Sequence, residues 1–64
     1  MSEKIHMGNA REGDRVRIVD PNDEMNGRFA TIMSISSRID REVTLAVDGY
    51  DNPRYSFLYL LEPE

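Results

Sequence analysis

Hydrophobic and polar residues alternate over short stretches of this chain, which is the pattern of strands with one buried face. In residues 14–19, Val16 and Ile18 alternate with Arg15 and Arg17. Because successive side chains of a strand point to opposite sides, this segment predicts a first strand with both arginines together on its outer face.

The next apolar run, residues 28–36, predicts a second strand that is apolar on both faces. If Ala30 and Ile32 point inward, Phe29 and Met33 face outward beside the arginine that begins the strand. By the same alternation Ile35 is expected to lie largely on the outer face. A strand of this kind is either buried on both sides or exposes an adhesive surface.

The clearest alternation lies in residues 42–48, where three apolar side chains are expected to point inward: Val43, Leu45 and Val47. The last apolar segment, residues 54–61, is expected to split in two. It predicts a strand around residues 55–57, a 3-10 turn, and a short final strand at residues 60–62, with Phe57 in the core.

Turn signals separate these segments. Asp20-Pro21-Asn22-Asp23 and Asn26-Gly27 both combine residues that favour tight turns, and Asn-Gly tolerates positive φ. About five short antiparallel strands, with a 3-10 turn before the last one, predict an all-β fold of the small SH3-like barrel type. Residues 1–12 are expected to form a flexible N-terminal arm, and residues 13–64 the barrel domain.

Composition argues against enzyme chemistry. The 64 residues are enough for one small domain, with no cysteine and a single histidine, His6, in the expected arm. Acid–base catalysis needs a titratable group held beside a partner in a pocket. A transition-metal site needs several histidine or cysteine ligands, and this chain has one histidine and no cysteine. The acidic segment 20–24 lacks EF-hand spacing and is better explained as a turn with solvated carboxylates. We expect no enzyme, no metal and no cofactor.

The net charge is −4 and falls entirely within residues 42–64, where Arg54 faces five acidic residues. A general nucleic-acid binder usually shows a basic excess, so the acidic balance disfavours that partner. Seven of the eight basic residues are arginine, which suits fixed contacts at protein interfaces. The sequence shows no apolar run long enough to span a membrane and no signal peptide, so a cytoplasmic location is expected.

Two family resemblances accompany these patterns. Gly13, Val16, Ile18, Gly27 and Ile32 occupy positions that resemble a KOW motif, with an alanine at the place of the motif's second glycine. That resemblance implies an SH3-like barrel that binds RNA, ribosomes or RNA polymerase.

The second resemblance covers residues 13–62 in short strings: Val16-Arg-Ile-Val-Asp-Pro-Asn-Asp23, Arg28-Phe29, Ser56-Phe57-Leu58 and Leu61-Glu62. The chain is similar here to the S subunit of the photosynthetic NADH-dehydrogenase-like complex and, more loosely, to the E subunit of photosystem I. Both are small SH3-like barrels that help ferredoxin dock on a larger complex through basic side chains. The resemblance implies a docking role.

We therefore expect a non-catalytic docking or adapter module that binds a protein partner, for example as an accessory subunit of a larger complex. The alternatives are a KOW-type module of the transcription or translation machinery and a small, for example phage-encoded, modulator of a host protein. An exposed apolar strand face is equally compatible with a homodimer. The candidate partner-binding residues are Arg15, Arg17, Arg28, Phe29, Met33, Tyr50, Arg54 and Tyr55. The alternative for the arginines is pairing with Glu12, Asp14 and Glu42 on a solvated wall.

Overall fold

The computed structural model describes residues 10–64. His6 and most of the expected arm lie outside the described residues. The strands are Arg15–Ile18 (β1), Phe29–Ile35 (β2), Glu42–Val47 (β3), Arg54–Phe57 (β4) and Leu61–Pro63 (β5), and a 3-10 turn at Leu58–Leu60 precedes β5. All neighbours pair antiparallel in one sheet of order β4-β3-β2-β1-β5. The structure confirms the all-β class and the 3-10 turn before the last strand.

Alternation along the strands puts one face of this sheet in the core. The buried side chains are Val16, Ile18, Met25, Ala30, Ile32, Val43, Leu45, Val47, Leu58 and Leu61, and they form a single cluster. Because β1, β2, β3, β5 and the 3-10 turn all contribute to that cluster, the sheet curves around it. The inward positions predicted for β1 and β3 are confirmed. Ala10 packs against the same cluster at the start of the described chain.

A β-bulge changes the expected pattern in β2. Ile32 pairs with Leu45 and the next paired residue of β2 is Ser34, so Met33 is an extra residue without a partner in β3. An inserted residue resets the alternation of a strand. Ile35 therefore returns to the inner face and packs against the core, and the expectation that it lies outward is wrong.

The first turn after β1 forms as the sequence predicts. The Asp23 backbone N–H donates to the Asp20 carbonyl at 2.9 Å, and the Asn22 N–H donates to the Asp20 carboxylate at 3.2 Å. The loop then folds back so that Met25 enters the core with 4% of its surface exposed. A long polar loop thus closes one end of the curved sheet with a single apolar side chain.

The Asn26-Gly27 pair turns the chain into β2, although only the glycine adopts positive φ. Gly27 has φ 87°, and the Arg28 N–H donates to the Met25 carbonyl at 3.0 Å across the turn. Asn26 contributes its side chain instead, because its Oδ1 accepts the Asp20 N–H at 2.8 Å. A positive φ at the third position is what a type II turn requires of glycine.

Phe57, the last residue of β4, lies in a different environment from the one predicted. Phe57 is only half-buried and lies outside the buried cluster, so the expectation that it belongs to the core is wrong. It pairs with Glu42, and alternation along β4 puts it on the same side as Tyr55, which is exposed. Its ring stacks on Tyr59, with centroids 5.5 Å apart. Leu58 and Leu61 enter the core in its place.

The only helical element within residues 10–64 is the three-residue turn before β5. No helix in this part of the chain is both long enough and apolar enough to cross a membrane.

Candidate functional site

The face of the sheet opposite the core, called the outer face below, carries most of the candidate residues. Alternation and strand register place there Arg15, Arg17, Phe29, Thr31, Met33, Thr44, Ala46, Tyr55 and Glu62. Three candidates lie elsewhere. Tyr50 is in the turn after β3, and Arg54 pairs with the inward residue Leu45. Arg28 directly precedes β2, where alternation puts it on the side opposite Phe29.

The centre of the outer face is a hydrogen-bonded network around Arg15. Its guanidinium donates to both oxygens of Asp48 at 2.9 and 2.6 Å and to both oxygens of Glu64 at 3.1 and 3.3 Å. A further bond, 2.9 Å long, reaches Thr31 Oγ1. Since a guanidinium has five N–H groups, every donor of Arg15 is used within the protein. We call these four residues the Arg15 network.

Charge pairing within this network shifts the pKa of two of its members. The hydrogen bond from Arg15 is the main cause that lowers the pKa of the Asp48 carboxyl below its ordinary value. The hydrogen bonds to Asp48, and then those to Glu64, raise the pKa of Arg15. Both side chains of the Arg15–Asp48 pair are 40% or more exposed, so solvent screens the pair. Arg15 offers a partner no free N–H donor, although it was a candidate binding residue.

Arg17 is also paired on this face. Its guanidinium donates to Glu62 of the neighbouring strand β5 at 2.8 Å. The sequence suggested Glu12, Asp14 and Glu42 as possible partners of the arginines, and the structure shows other ones. Because β5 returns beside β1, the acids that meet Arg15 and Arg17 come from the C-terminal end and from the turn after β3.

Arg28 differs from these two arginines. Its guanidinium carbon lies 5.1 Å from the centre of the Tyr50 ring, in a cation–π arrangement. No carboxylate lies within ion-pair distance of Arg28 among residues 10–64. Phe29 follows it directly and is 41% exposed. All three residues lie at the end of the sheet where β2 begins, and we refer to them as the Phe29 patch, with Phe29 on the outer face and Arg28 on the opposite side by alternation.

A second group of exposed rings and a methionine lies at the other end of the outer face. Met33 is 51% exposed and Tyr55 is 70% exposed. Ser34, next to Met33, pairs with Thr44, and Thr44 pairs with Tyr55, so the two side chains lie about 10 Å apart across two strand spacings. Together with the stacked rings of Phe57 and Tyr59 they form what we call the Met33 patch. The Arg15 network separates it from the Phe29 patch, because Thr31 lies between Phe29 and Met33 on β2.

Arg54 serves a different contact. It donates to Asp23 at 2.9 Å and to Glu24 at 3.4 Å, and thereby ties edge strand β4 to the loop that carries Met25 into the core. This placement gives Arg54 a structural contact away from the outer face.

Comparisons with known proteins add no assignment to this geometry. No family model, curated protein or solved structure matches this chain. Within the described residues, no three histidine or acidic side chains come close enough to hold a metal ion. The outer face therefore has to be interpreted from its own chemistry.

The outer face presents exposed apolar side chains, and the charged side chains beside them are held in ion pairs. Sequence reasoning found Phe29, Met33, Tyr50 and Tyr55, and the structure exposes all four. It missed the stacked pair of Phe57 and Tyr59, because Phe57 was expected in the core, whereas alternation along β4 puts it on the side of Tyr55. It also missed the carboxylates that bind Arg15, because contacts over 33 and 49 residues leave no local signal.

Proposed function

We propose that this protein is a non-catalytic docking module that binds a protein partner through the outer face of its sheet. The observation that carries the proposal is the exposure of Phe29, Met33 and Tyr55 on one face of a small sheet. Aromatic residues, methionine and arginine are the residue types enriched at protein interfaces. Exposed apolar side chains grouped on one face are typical of such surfaces.

The fold supports this proposal in a general way. Five short antiparallel strands in the order β4-β3-β2-β1-β5, with a 3-10 turn before β5, agree with the SH3-like barrel expected from the sequence. Small barrels of this type usually act by binding other molecules, and we propose the same role for this protein. An accessory subunit or adapter of a larger complex fits a module of this size.

The placement of the arginines favours a protein partner over nucleic acid. In residues 10–64, four arginines are in ion pairs, namely Arg15, Arg17, Arg41 and Arg54. Neutralised arginines contribute little to the counterion release that drives binding to phosphates. The same argument weakens a role in docking ferredoxin, because that role needs unpaired basic side chains to attract an acidic partner.

The test is affinity capture from an extract of the producing cells, with and without nuclease, followed by binding measurements with the purified partner. We expect Phe29→Ala and Met33→Ala each to weaken binding by roughly 10- to 30-fold, since anchor residues dominate such interfaces. Ile39→Ala is the matched control, because Ile39 is 51% exposed like Met33 but lies in the loop after β2.

Two outcomes would contradict the proposal. In the first, the captured proteins disappear after nuclease treatment, and binding falls steeply with salt, as expected for a KOW-type module. In the second, Phe29→Ala and Met33→Ala bind the partner as tightly as Ile39→Ala does. Far-UV circular dichroism of each variant separates loss of the surface from loss of the fold.

A further inference from the structure

We infer that Asn26-Gly27 is a deamidation site, which the folded loop after β1 protects and which becomes reactive when that loop opens. Of the four asparagines in the sequence, only Asn26 precedes a glycine. Asparagine is among the chemically labile residues of proteins. It reacts fastest before glycine, because a residue without a Cβ atom leaves its own backbone nitrogen accessible and its dihedral angles unrestricted. The reaction needs water, and neither an enzyme nor a partner protein.

The reaction is an attack of the main chain on the preceding side chain. The Gly27 nitrogen loses its proton to hydroxide and forms a bond with Cγ of Asn26. The bond between Cγ and Nδ2 breaks, and this nitrogen leaves as ammonia after it takes a proton from water. Water then opens the five-membered imide at one of its two carbonyl groups. The products are aspartate and isoaspartate, and in the latter the main chain passes through the side-chain carboxyl carbon.

The folded loop holds both reacting groups in hydrogen bonds. The Gly27 N–H donates to the Ile18 carbonyl at 2.8 Å. Removing its proton would leave a negative nitrogen at hydrogen-bond distance from that oxygen, and the two repel each other. Oδ1 of Asn26 accepts the Asp20 N–H at 2.8 Å, and ring closure would draw the carboxamide away from it. Reaction in the closed loop therefore loses two hydrogen bonds, although Asn26 and Gly27 are exposed.

The turn after β3 contains a glycine in the same backbone conformation but without this protection. Gly49 has φ 86° and Gly27 has φ 87°. No group within residues 10–64 accepts the Gly49 N–H. Asp48 precedes it, so the variant Asp48→Asn creates a second asparagine-glycine pair with an unbonded N–H. The chain thus offers a matched comparison between a held and an unheld reacting nitrogen.

Opening of the loop after β1, residues 19–28, is the step that makes Asn26 reactive. Buried Met25 and the ion pair of Arg54 with Asp23 anchor this loop to the rest of the fold. Proteins open locally, without global unfolding, at such segments. When closing is fast, a reaction of the open form proceeds in proportion to the population of that form. The deamidation rate therefore follows how often the loop is open.

The isoaspartate product prevents the loop from closing as the native chain does. Its main chain is longer by one atom, or about 1.5 Å, between residues 26 and 27. Beside that point the Arg28 N–H donates to the Met25 carbonyl at 3.0 Å, and the Ile18 N–H donates to the Arg28 carbonyl at 2.9 Å. These bonds fix the start of β2 against β1, so the longer chain displaces either Met25 or the start of β2. Deamidation to isoaspartate thus makes a transient opening permanent.

Peptide mapping of the full chain by mass spectrometry tests the inference. Native protein and Asp48→Asn are incubated at pH 7 and pH 9, folded in buffer and unfolded in guanidinium chloride. Trypsin then releases residues 18–28 and residues 42–54, and fragmentation locates each conversion of an amide to an acid. Both peptides contain an internal control. The controls are Asn22, whose following nitrogen belongs to an aspartate, and Asn52, which precedes a proline without an N–H.

The inference predicts a specific order of rates. In the unfolded chain, Asn26 is expected to react roughly tenfold or more faster than Asn22 and Asn52. Folding is expected to slow Asn26 roughly tenfold or more, because only the open loop reacts. In folded Asp48→Asn, the new asparagine is expected to react at least about threefold faster than Asn26, since the Gly49 N–H has no acceptor. All these rates should rise with pH, because hydroxide removes the proton.

Arg54→Met connects the rate to the loop. Loss of its pair with Asp23 is expected to raise the Asn26 rate in the folded protein roughly three- to fivefold. Arg38→Met, in the exposed loop after β2, is the control and should leave that rate unchanged. Far-UV circular dichroism shows that each variant is folded during the incubation.

The two products are separated by chromatography and refolded to test the effect on the loop. The aspartate form keeps the native chain length and an oxygen that can accept the Asp20 N–H, so it is expected to unfold at the same urea concentration as Asn26→Asp. The isoaspartate form is expected to unfold at a lower urea concentration. Equal stability of the isoaspartate form and the native protein would contradict the permanent opening.

Three results would overturn the inference as a whole. The first is an unfolded chain in which Asn26 reacts no faster than Asn22. The second is a folded protein in which Asn26 reacts as fast as it does in the unfolded chain. The third is an Asn26 rate that is the same in folded Arg54→Met and in folded Arg38→Met.

Discussion

The guanidinium of Arg15 and the carboxylate of Asp48 meet in a two-pronged contact of 2.9 and 2.6 Å, although 33 residues separate them in the chain. Arg15 lies in β1 and Asp48 follows β3, so the contact passes over β2, which runs between those strands. The backbone N–H of Asp48 also donates to the Phe29 carbonyl at 3.0 Å. Three neighbouring strands are thereby linked at one point of the outer face.

This contact makes stability depend on pH in the acidic range. The pKa of Asp48 is lower in the folded protein than its ordinary value of 3.8, chiefly because of the hydrogen bond from Arg15. The folded state therefore favours the ionised carboxylate. Its contribution is fully present above the unfolded pKa and is lost as pH falls from that value through the folded pKa. We expect Asp48→Asn to be less stable than the native protein at pH 7 and to show a shallower loss of stability below pH 4.

Urea unfolding at pH 7, 5, 4 and 3 measures the effect, provided that the dependence of the free energy on urea stays unchanged. Asp51→Asn is the control, because Asp51 lies in the same turn and has no ion pair within residues 10–64. Parallel stability curves for native protein and Asp48→Asn across this pH range would show that the contact does not stabilise the folded state.

Arg54 is expected to stabilise the fold by fixing the loop that carries Met25. Its pair with Asp23 spans 2.9 Å, and both side chains are about two-thirds or more buried. A double-mutant cycle of Arg54→Met and Asp23→Asn is expected to give a coupling energy of about 1 kcal/mol. Asparagine retains the oxygen that accepts the Met25 N–H, so the turn itself is kept.

The matched control is Arg38→Met, in the exposed loop after β2, which is expected to change the free energy of unfolding by less than about 0.5 kcal/mol. A coupling energy near zero would mean that the pair of Arg54 and Asp23 does not stabilise the loop. The prediction also separates two roles, because Arg54→Met should leave partner binding unchanged at concentrations where the protein is folded.

The strands could be predicted from the sequence because the alternation of buried and exposed side chains involves only neighbouring residues of the chain. Val16 with Ile18, and Val43 with Leu45, report their buried face directly by alternation. The bulge could not be predicted in this way. A single inserted residue, Met33, changes the face of every residue after it and leaves no compositional trace.

The candidate site was predictable to the extent that exposure follows from alternation. Phe29 and Met33 are exposed, as expected from an inward Ala30 and Ile32. Which carboxylates pair with the arginines was not predictable, because this depends on which strand lies beside β1. Only the return of β5 to that position supplies Glu62 and brings Glu64 within reach. Ion pairs between distant residues are therefore a property of the topology.

Arg41 is strained by its backbone conformation, and relieving that strain is expected to stabilise the protein. It has φ 64°, a region that residues with a Cβ atom rarely adopt, while its carbonyl accepts the Leu58 N–H at 2.8 Å. Glycine avoids about 1 kcal/mol of this strain but loses roughly 0.4–1 kcal/mol through its greater freedom when unfolded. We expect Arg41→Gly to match or exceed native stability by up to about 0.5 kcal/mol.

The comparison with Arg41→Ala makes this result interpretable. Alanine also removes the side chain and its weak 3.6 Å contact with Asp40, yet it keeps the Cβ atom. Arg41→Ala keeps the strain without glycine's unfolded-state freedom, so it is expected to be less stable than Arg41→Gly by up to about 0.5 kcal/mol in thermal or urea unfolding. If Arg41→Gly is instead less stable than Arg41→Ala by roughly 0.4–1 kcal/mol, positive φ at this position costs nothing.

The bulge in β2 permits a deletion that separates folding from docking. Met33 has no partner in β3, and the pairs on both sides, Ile32 with Leu45 and Ser34 with Thr44, are already in consecutive register on β3. Removing Met33 therefore leaves Ile32 and Ile35 on the inner face. We expect the deletion to cost no more than about 1 kcal/mol of unfolding free energy, while it removes one apolar side chain from the outer face.

Deleting Thr31 instead is the informative contrast, because Thr31 is paired with Ala46 in the regular part of the ladder. Its loss would move either Ala30 or Ile32 to the opposite face, which a one-residue shift always does in a strand. A domain of this size has only a few kcal/mol in reserve, so this variant is expected to be unfolded. Urea unfolding and far-UV circular dichroism of the two deletion variants show whether each one folds and how stable it is. Equal damage from both deletions would mean that the bulge is needed for the curvature that closes the sheet around its core.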